Sequence, residues 1–345
     1  MNKFRYIDKK VLCSYDLSEE FFEKLGVNVY DIIPLRKVFV LFTDKGKKIL
    51  KSTNSTNERI KFISNALDII RETDQCVLQY CNNSQGEKIT RWRGTGYVLL
   101  DLIEGREANF TNPIEVEWCT KALANFHRAS IGIVDKLDSI EIEENKGKNL
   151  IYEQLNNLCI INEIERVVNK FNYKNEFDLL FLENVAKAKN DLNVSINLLT
   201  KSSYIDLYKG DNSKVLCHLD LAHHNFIIND EIVNLIDFDY CNINLKIIDL
   251  YNFMSKVIKN IAYDKEMLDN ILKTYNSINE ISDEEIQVLY ALLNYPRDFV
   301  DITIDYYLKQ KSWDEEVFIS RFKDKIENNI FKSELLLKLE KIWNF

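Results

Sequence analysis

The stretch from Cys217 to Asp239, CHLDLAHHNFIINDEIVNLIDFD, constrains the chain more than any other. An apolar lead-in, residues 214–217, delivers His218 and Asp220 onto a short polar loop, and Asn225 follows five residues after that Asp. Phe226 to Ile228 then resume an apolar strand, Asp230-Glu231 reads as a hairpin turn, and the next strand, Ile232 to Phe238, is apolar except at Asn234 and Asp237. A carboxylate at the end of a buried strand is costly unless a metal ion or a cationic side chain compensates it.

The spacing matches a chemistry. H-x-D-x-x-x-x-N followed about a dozen residues later by D-F supplies what phosphoryl transfer from ATP requires. One Asp accepts the hydroxyl proton, and an Asn and a second Asp hold Mg2+ on the phosphates. Here these are Asp220, Asn225 and Asp237. Any one of them alone is an ordinary polar residue of a β-hairpin; the ordered set favours the phosphotransfer chemistry.

At 345 residues, 46% of them hydrophobic, the chain exceeds one compact core and suggests two lobes. A net charge of −9 does not supply the basic surface that nucleic-acid phosphates require. No uninterrupted apolar run approaches a membrane span, and MNKFRYIDKKVLCSYD places charges where a signal peptide carries its apolar segment, so cytosolic synthesis is expected. Seven scattered cysteines, odd in number and mostly in apolar segments, read as reduced core thiols.

Along the chain, residues 1–25 read as a helical segment with Leu17, Phe21, Phe22 and Leu25 on one face and Gly26 ending it. Residues 27–34, 38–43 and 47–51 form an antiparallel meander. Alternation puts Ile49 and Lys51 on one face of the third strand, an apolar residue and an ammonium pointing into the same cavity, although an edge-strand lysine is the plainer reading of Lys51 alone. Residues 57–70 come next as a helix with stripe Ile60, Ile63, Leu67 and Ile70; Glu58 at its start is a candidate partner for Lys51, or simply complements the helix dipole. Strands are predicted at 75–80 and 96–103, separated by a polar loop. The second ends at Asp101-Leu102-Ile103, where a hinge would offer the backbone groups of Asp101 and Ile103 to an adenine edge.

Beyond the hinge the pattern turns helical, at 116–129, 150–170, 176–199 and 247–258, with a charged surface loop at 135–148. His127 reads as a packing histidine, and Asp249 suits capping or bracing of the catalytic loop. Ser282 opens a capping box, Pro296 starts another helix, and residues 313–345 read as two closing helices. His218, His223 and His224 fall close together, but the cysteines near them do not sit on a zinc knuckle.

HLDLAHHNFII, LIDFDYC and IIDLYNF, together with TDKGKKILK, YVLLDLIEGRE and LANFHRAS, resemble the CotS-type spore coat proteins, a branch of the aminoglycoside phosphotransferase and choline kinase superfamily. The resemblance spans essentially the whole chain. It implies an α+β, two-lobed protein-kinase-like fold, with a small antiparallel β lobe at residues 1–103 and a larger, mainly helical lobe at 104–345. It implies ATP and Mg2+ as cofactors, a small-molecule hydroxyl as acceptor, a place in the spore coat, and other coat proteins as partners, with neither nucleic acid nor membrane among them. Residue by residue, it gives Asp220 as catalytic base, His218 as the histidine bracing its loop, Asn225 and Asp237 as metal ligands, Lys51 as the phosphate-binding lysine, and Glu58 as its helix partner. Three positions depart from the pattern: Leu219 stands where the superfamily usually has glycine, the hairpin around residues 34–38 lacks glycines, and Asp239 replaces the glycine of D-F-G. Two functions are compatible with this, an active phosphotransferase or a structural coat component that keeps the kinase fold as a scaffold.

Overall fold

The computed structural model describes residues 17–211, 213–259 and 261–343; the beginning of the expected N-terminal helical segment lies outside them. Helix α1, Glu19–Leu25, is N-capped by Ser18 and ended by Gly26, whose φ of 74° suits a residue without Cβ. Its buried Phe21, Phe22 and Leu25 pack with Trp92, Tyr97 and Leu99 into a core of the small lobe. The sheet above it comprises β1 Val29–Leu35, β2 Val38–Thr43, β3 Gly46–Thr53, β4 Ile89–Trp92 and β5 Thr95–Asp101, antiparallel throughout in the order β1-β2-β3-β5-β4. Helix α2, Asn57–Arg71, capped by Thr56, buries Ile60, Ile63, Leu67 and Ile70 as the stripe requires.

Two details of this lobe differ from the sequence pattern. Residues 75–80 form no strand; Val77 bridges to Leu235 of the large lobe and Tyr80 to Leu100. The backbone groups of Cys76 and Leu78 go to Leu235, at 2.9 and 3.3 Å, while Gln79 accepts the Asp101 N–H, so the segment ties the large lobe to the edge of β5 instead of forming a full strand. The supposed polar loop contains β4, which turns through Arg93 and Gly94, both at positive φ, into β5. Only four residues long and flanked by cations, it gives little alternation to read.

The chain passes to the large lobe through residues 102–105. Gly105, at φ 147°, is needed there, because a Cβ would lie 2.5 Å from the carbonyl oxygen of Ile228. Strand β6, Arg106–Glu107, joins the hairpin of β8, Phe226–Asn229, and β9, Ile232–Leu235; β7, Lys214–Cys217, pairs with β10, Asn242–Leu245. Around these hairpins pack α3 Pro113–Ala129, α4 Ser139–Asn145, α5 Leu150–Asn169, α6 Glu176–Lys201, α7 Tyr204–Lys209, α8 Lys246–Lys259, α9 Lys265–Asn276, α10 Asp283–Asn294, α11 Arg297–Tyr307 and α12 Glu315–Trp343. Helix α4 occupies what read as a charged loop; an Asp138/Glu141 capping box starts it, although none of its residues is buried. The tail is one 29-residue helix rather than two. No Gly or Pro interrupts it, but its buried residues serve two cores: Phe318 and Phe322 pack with Phe177 and Phe181, whereas Leu335 and Leu339 join the central core that runs into the small lobe.

Candidate active site

The cleft between the lobes is built from three segments: β3, the loop after β7, and the turn after β9. Lys51 reaches across from β3, and its ammonium lies 2.7 Å from Asp237 and 2.8 Å from Asp239. Burial works against its charge, yet the two carboxylates outweigh that and hold its pKa above the ordinary lysine value. Asp237 has φ 67°, an uncommon conformation for a residue with a Cβ. Phe238 anchors the turn, fully buried, with its ring 4.5 Å from that of His218 and 5.6 Å from that of Phe126.

Asp220 sits on the loop after β7, whose first turn is held by side chains. Asp249, fully buried at the start of α8, accepts the N–H of His218 (2.6 Å) and of Leu219 (2.8 Å). This bridging fits Leu219 at φ 66°, the left-handed conformation at which a glycine costs nothing and a leucine on the order of 1 kcal/mol. Nδ1 of His218 accepts the Asp220 N–H (3.2 Å), which leaves Nε2–H to donate to the Ile236 carbonyl (2.8 Å). Burial lowers the His218 pKa, so a neutral ring braces the loop against the turn carrying Asp237. His127, the packing histidine, extends this network: its Nε2 is 3.1 Å from Asp249 and its Nδ1 2.6 Å from the Tyr275 hydroxyl.

The Asp220 carboxylate accepts from Lys256 on α8 (2.8 Å) and from Asn225 Nδ2 (3.1 Å). Although burial opposes it, Lys256 in particular holds the carboxyl below the usual carboxylate range, so Asp220 is ionised at neutral pH. Asn225 also binds the Asp220 carbonyl (2.7 Å) and accepts the Ile236 N–H at its own carbonyl (3.0 Å), so one residue joins the two polar loops. With Nδ2 spent on Asp220, its Oδ1 is left as an oxygen donor. That oxygen and the carboxylates of Asp237 and Asp239 are hard oxygen ligands of the type that could hold Mg2+.

The expected pairing of Glu58 with Lys51 is overturned. Glu58 is exposed in the first turn of α2, where its own backbone and Thr56 lower its pKa. One residue on, the helix has turned by about 100°, and it is Arg59 that faces the cleft, bonding the carbonyl oxygens of Asp239 (2.9 Å) and Cys241 and the side chain of Asn145. Ile49 is part-buried against the central core and pairs with Val40 and Leu100. At the hinge the expected roles divide. The Asp101 N–H donates to Gln79 (3.1 Å) and its carboxylate pairs with Lys48, so that N–H is not open to an adenine; the peptide groups of Ile103 make no hydrogen bond among the described residues. The β1–β2 turn carries Arg36, at φ 53° and 2.7 Å from Glu107.

Sequence reasoning missed three participants: Asp239, Arg59 and Lys256. Only Asp239 left a signal, two residues after Asp237 and therefore able to reach the same cation. His223 and His224 are both exposed, their rings 5.3 Å apart. The one buried group of metal-type ligands among the described residues, His127, Cys217 and Asp249, is already hydrogen-bonded internally, with the Cys217 thiol donating to Leu245.

A five-stranded antiparallel lobe and a helical lobe, with a strand lysine paired to an Asp-bearing turn, make up the protein-kinase-like fold of the aminoglycoside phosphotransferases. An aminoglycoside phosphotransferase from Alicyclobacillus acidocaldarius superposes with a TM-score of 0.79 at 17% identity, covering 95% of this chain and 96% of that one. A spectinomycin phosphotransferase in complex with ADP and spectinomycin gives 0.66 at 15% identity, with 94% and 98% covered. The amicoumacin kinase hAmiN in complex with AMP-PNP, Ca2+ and Ami gives 0.59 at 16%, with 95% and 94% covered. The chain belongs to the family described as "Spore coat putative kinase YutH", whose model matches residues 20–339. It is also similar to spore coat protein S of Bacillus subtilis (strain 168), 24% identical over 318 residues that cover 89% of this chain and 88% of that protein. No helix among the described residues is long and apolar enough to cross a membrane.

Proposed function

We propose that the chain transfers the γ-phosphoryl group of ATP to a hydroxyl of a small molecule. The observation that carries this reading is the ion triad of Lys51 with Asp237 and Asp239, whose turn is tied through His218 and Asn225 to the loop that holds an ionised Asp220. Mg2+, when bound by Asn225 Oδ1 and the two carboxylates, neutralises phosphate charge. Lys51 is placed to exchange one carboxylate for a phosphate oxygen, and the free peptide groups of Ile103 to meet the adenine edge. The acceptor hydroxyl gives its proton to the Asp220 carboxylate as its oxygen bonds the γ-phosphorus, and the bond from that phosphorus to the β–γ bridging oxygen breaks to release ADP. His218 touches no reactant in this scheme; it is a positioning residue.

Family membership supports a location in the spore coat among other coat proteins, and with it a second reading in which the fold is a scaffold. The glycine-free turn at Arg36 favours that reading, because it presents side chains where close backbone approach to phosphate is wanted. Thermal unfolding separates the two. ATP with Mg2+ should raise the melting temperature more than ATP alone, since the ligand carboxylates are fully compensated only with the cation present. Equal shifts with and without Mg2+ would remove the metal assignment, and no shift in either case would favour the scaffold.

A further inference from the structure

Below the catalytic loop the large lobe holds a cavity of about 300 Å³ walled by α6, α8, α11 and α12. Its lining carries six cationic side chains, Lys187, Lys256, Lys259, Arg297, Lys325 and Lys332, against three carboxylates, Asp191, Asp298 and Asp301, in a chain whose net charge is −9. The cavity adjoins the chemistry, because Lys256 both lines it and bonds Asp220. Internal pairing leaves the positive charge incompletely answered. Asp298 is shared by Lys259 (2.6 Å) and Lys325 (2.5 Å), Lys187 has Asp191 (2.7 Å), Arg297 has Asp301 at 3.6 Å, and Lys332 donates to the Tyr295 carbonyl (2.7 Å) rather than to a carboxylate. Burial pulls Lys332 down to about 8, as expected of an ammonium short of counter-charge.

A second cavity, about 550 Å³, shares the wall of Tyr251, Asn252, Arg297 and Asp301 with the first and includes Leu219 of the catalytic loop. Five amide side chains stand in its lining beside three cations and two carboxylates, and two amide oxygens, Gln154 Oε1 and Asn242 Oδ1, are buried without a hydrogen-bond partner among the described residues, Gln154 being only 3% exposed. Buried acceptors without partners call for donors from a ligand, and hydroxyl groups supply them.

Resting on the phosphotransferase reading, we infer that the acceptor is an anionic hydroxyl compound, carrying a carboxylate or phosphate held in the lysine-lined cavity, and not a cationic amine. An amine entering there would meet like charge at low local dielectric, whereas an anion supplies the missing counter-charge to Lys325 and Lys332.

Isothermal titration of the full chain with inorganic phosphate, with gluconate and with glucosamine tests this. The two anions should bind and glucosamine should bind at least about tenfold more weakly. Lys325→Gln and Lys332→Met, neither of which touches Asp220 or Lys51, should each weaken anion binding by about tenfold or more while leaving affinity for ATP with Mg2+ unchanged. Lys51→Met should leave the anion site intact. Anion binding that survives both cavity variants and disappears in Lys51→Met belongs to the nucleotide site and overturns the inference. So does tighter binding of glucosamine, or no anion binding at millimolar concentration. Nucleotide affinity, read in the same preparations, reports separately on the phosphotransferase itself.

Discussion

Asp220→Asn is expected to lower turnover by about two to four orders of magnitude while leaving the fold and nucleotide affinity near wild type. The amide keeps the shape of the carboxylate and can still accept from Lys256, but it has no basic oxygen to take the hydroxyl proton. In the wild type, Lys256 and Asn225 hold the carboxyl below its ordinary value of 3.8. The base therefore stays ionised, and the acid limb of kcat/KM should fall below that value rather than near neutrality. Steady-state kinetics with circular dichroism decides the matter; undiminished turnover in Asp220→Asn would exclude Asp220 as the base. For the scaffold reading, the same substitution tested in a sporulating host separates chemistry from scaffolding: normal coat assembly with a catalytically dead chain would favour the scaffold.

Asp249→Ala should have the largest effect on stability, a loss of about 3–5 kcal/mol. The carboxylate is fully buried and is the acceptor for two backbone N–H groups and for His127. Removing it strands three donors at once, those of His218 and His127 fully buried and that of Leu219 partly so, and frees Leu219 from its left-handed conformation, so the loop carrying Asp220 loses its brace. Asp249→Asn should recover part of the stability because one carbonyl oxygen remains. Denaturant unfolding monitored at constant protein concentration measures both; a loss under about 1 kcal/mol for the alanine variant would mean that the loop is held by other contacts.

Short-range rules made part of the site and fold legible in the sequence. His218, Asp220, Asn225 and Asp237 are fixed by spacing along two strands and their turns, and Lys51 by alternation on β3. The long helix α6 is set by its apolar stripe, and α10 by its capping box. Residues whose partners lie far away in the chain could not be found that way. Arg59 meets the Asp239 backbone 180 residues later, and Lys256 meets Asp220 across 36. Glu58 failed as a partner because a helix changes its facing within one residue, and sequence proximity to Lys51 carries no information about rotation. The 75–80 segment has strand composition, but its backbone bonds are divided between Leu235 of the other lobe, at Cys76 and Leu78, and β5, at Gln79, so no continuous ladder forms. The closing helix read as two because its apolar positions switch from one core to another part-way along.

The phosphotransferase reading turns on Lys51 as a phosphate-binding lysine, kept charged by Asp237 and Asp239 until nucleotide arrives. Its ammonium faces the cleft, so Lys51→Met keeps the apolar stem on β3 and removes only the charge. Titration of ATP with Mg2+ into the wild-type chain and into Lys51→Met, both verified as folded, reads that role directly. The wild type should bind saturably, and the variant should lose at least about tenfold in affinity, roughly 1.4 kcal/mol. Equal affinity in the two chains, or no binding to the wild type at millimolar ATP, would show that Lys51 does not serve the phosphates.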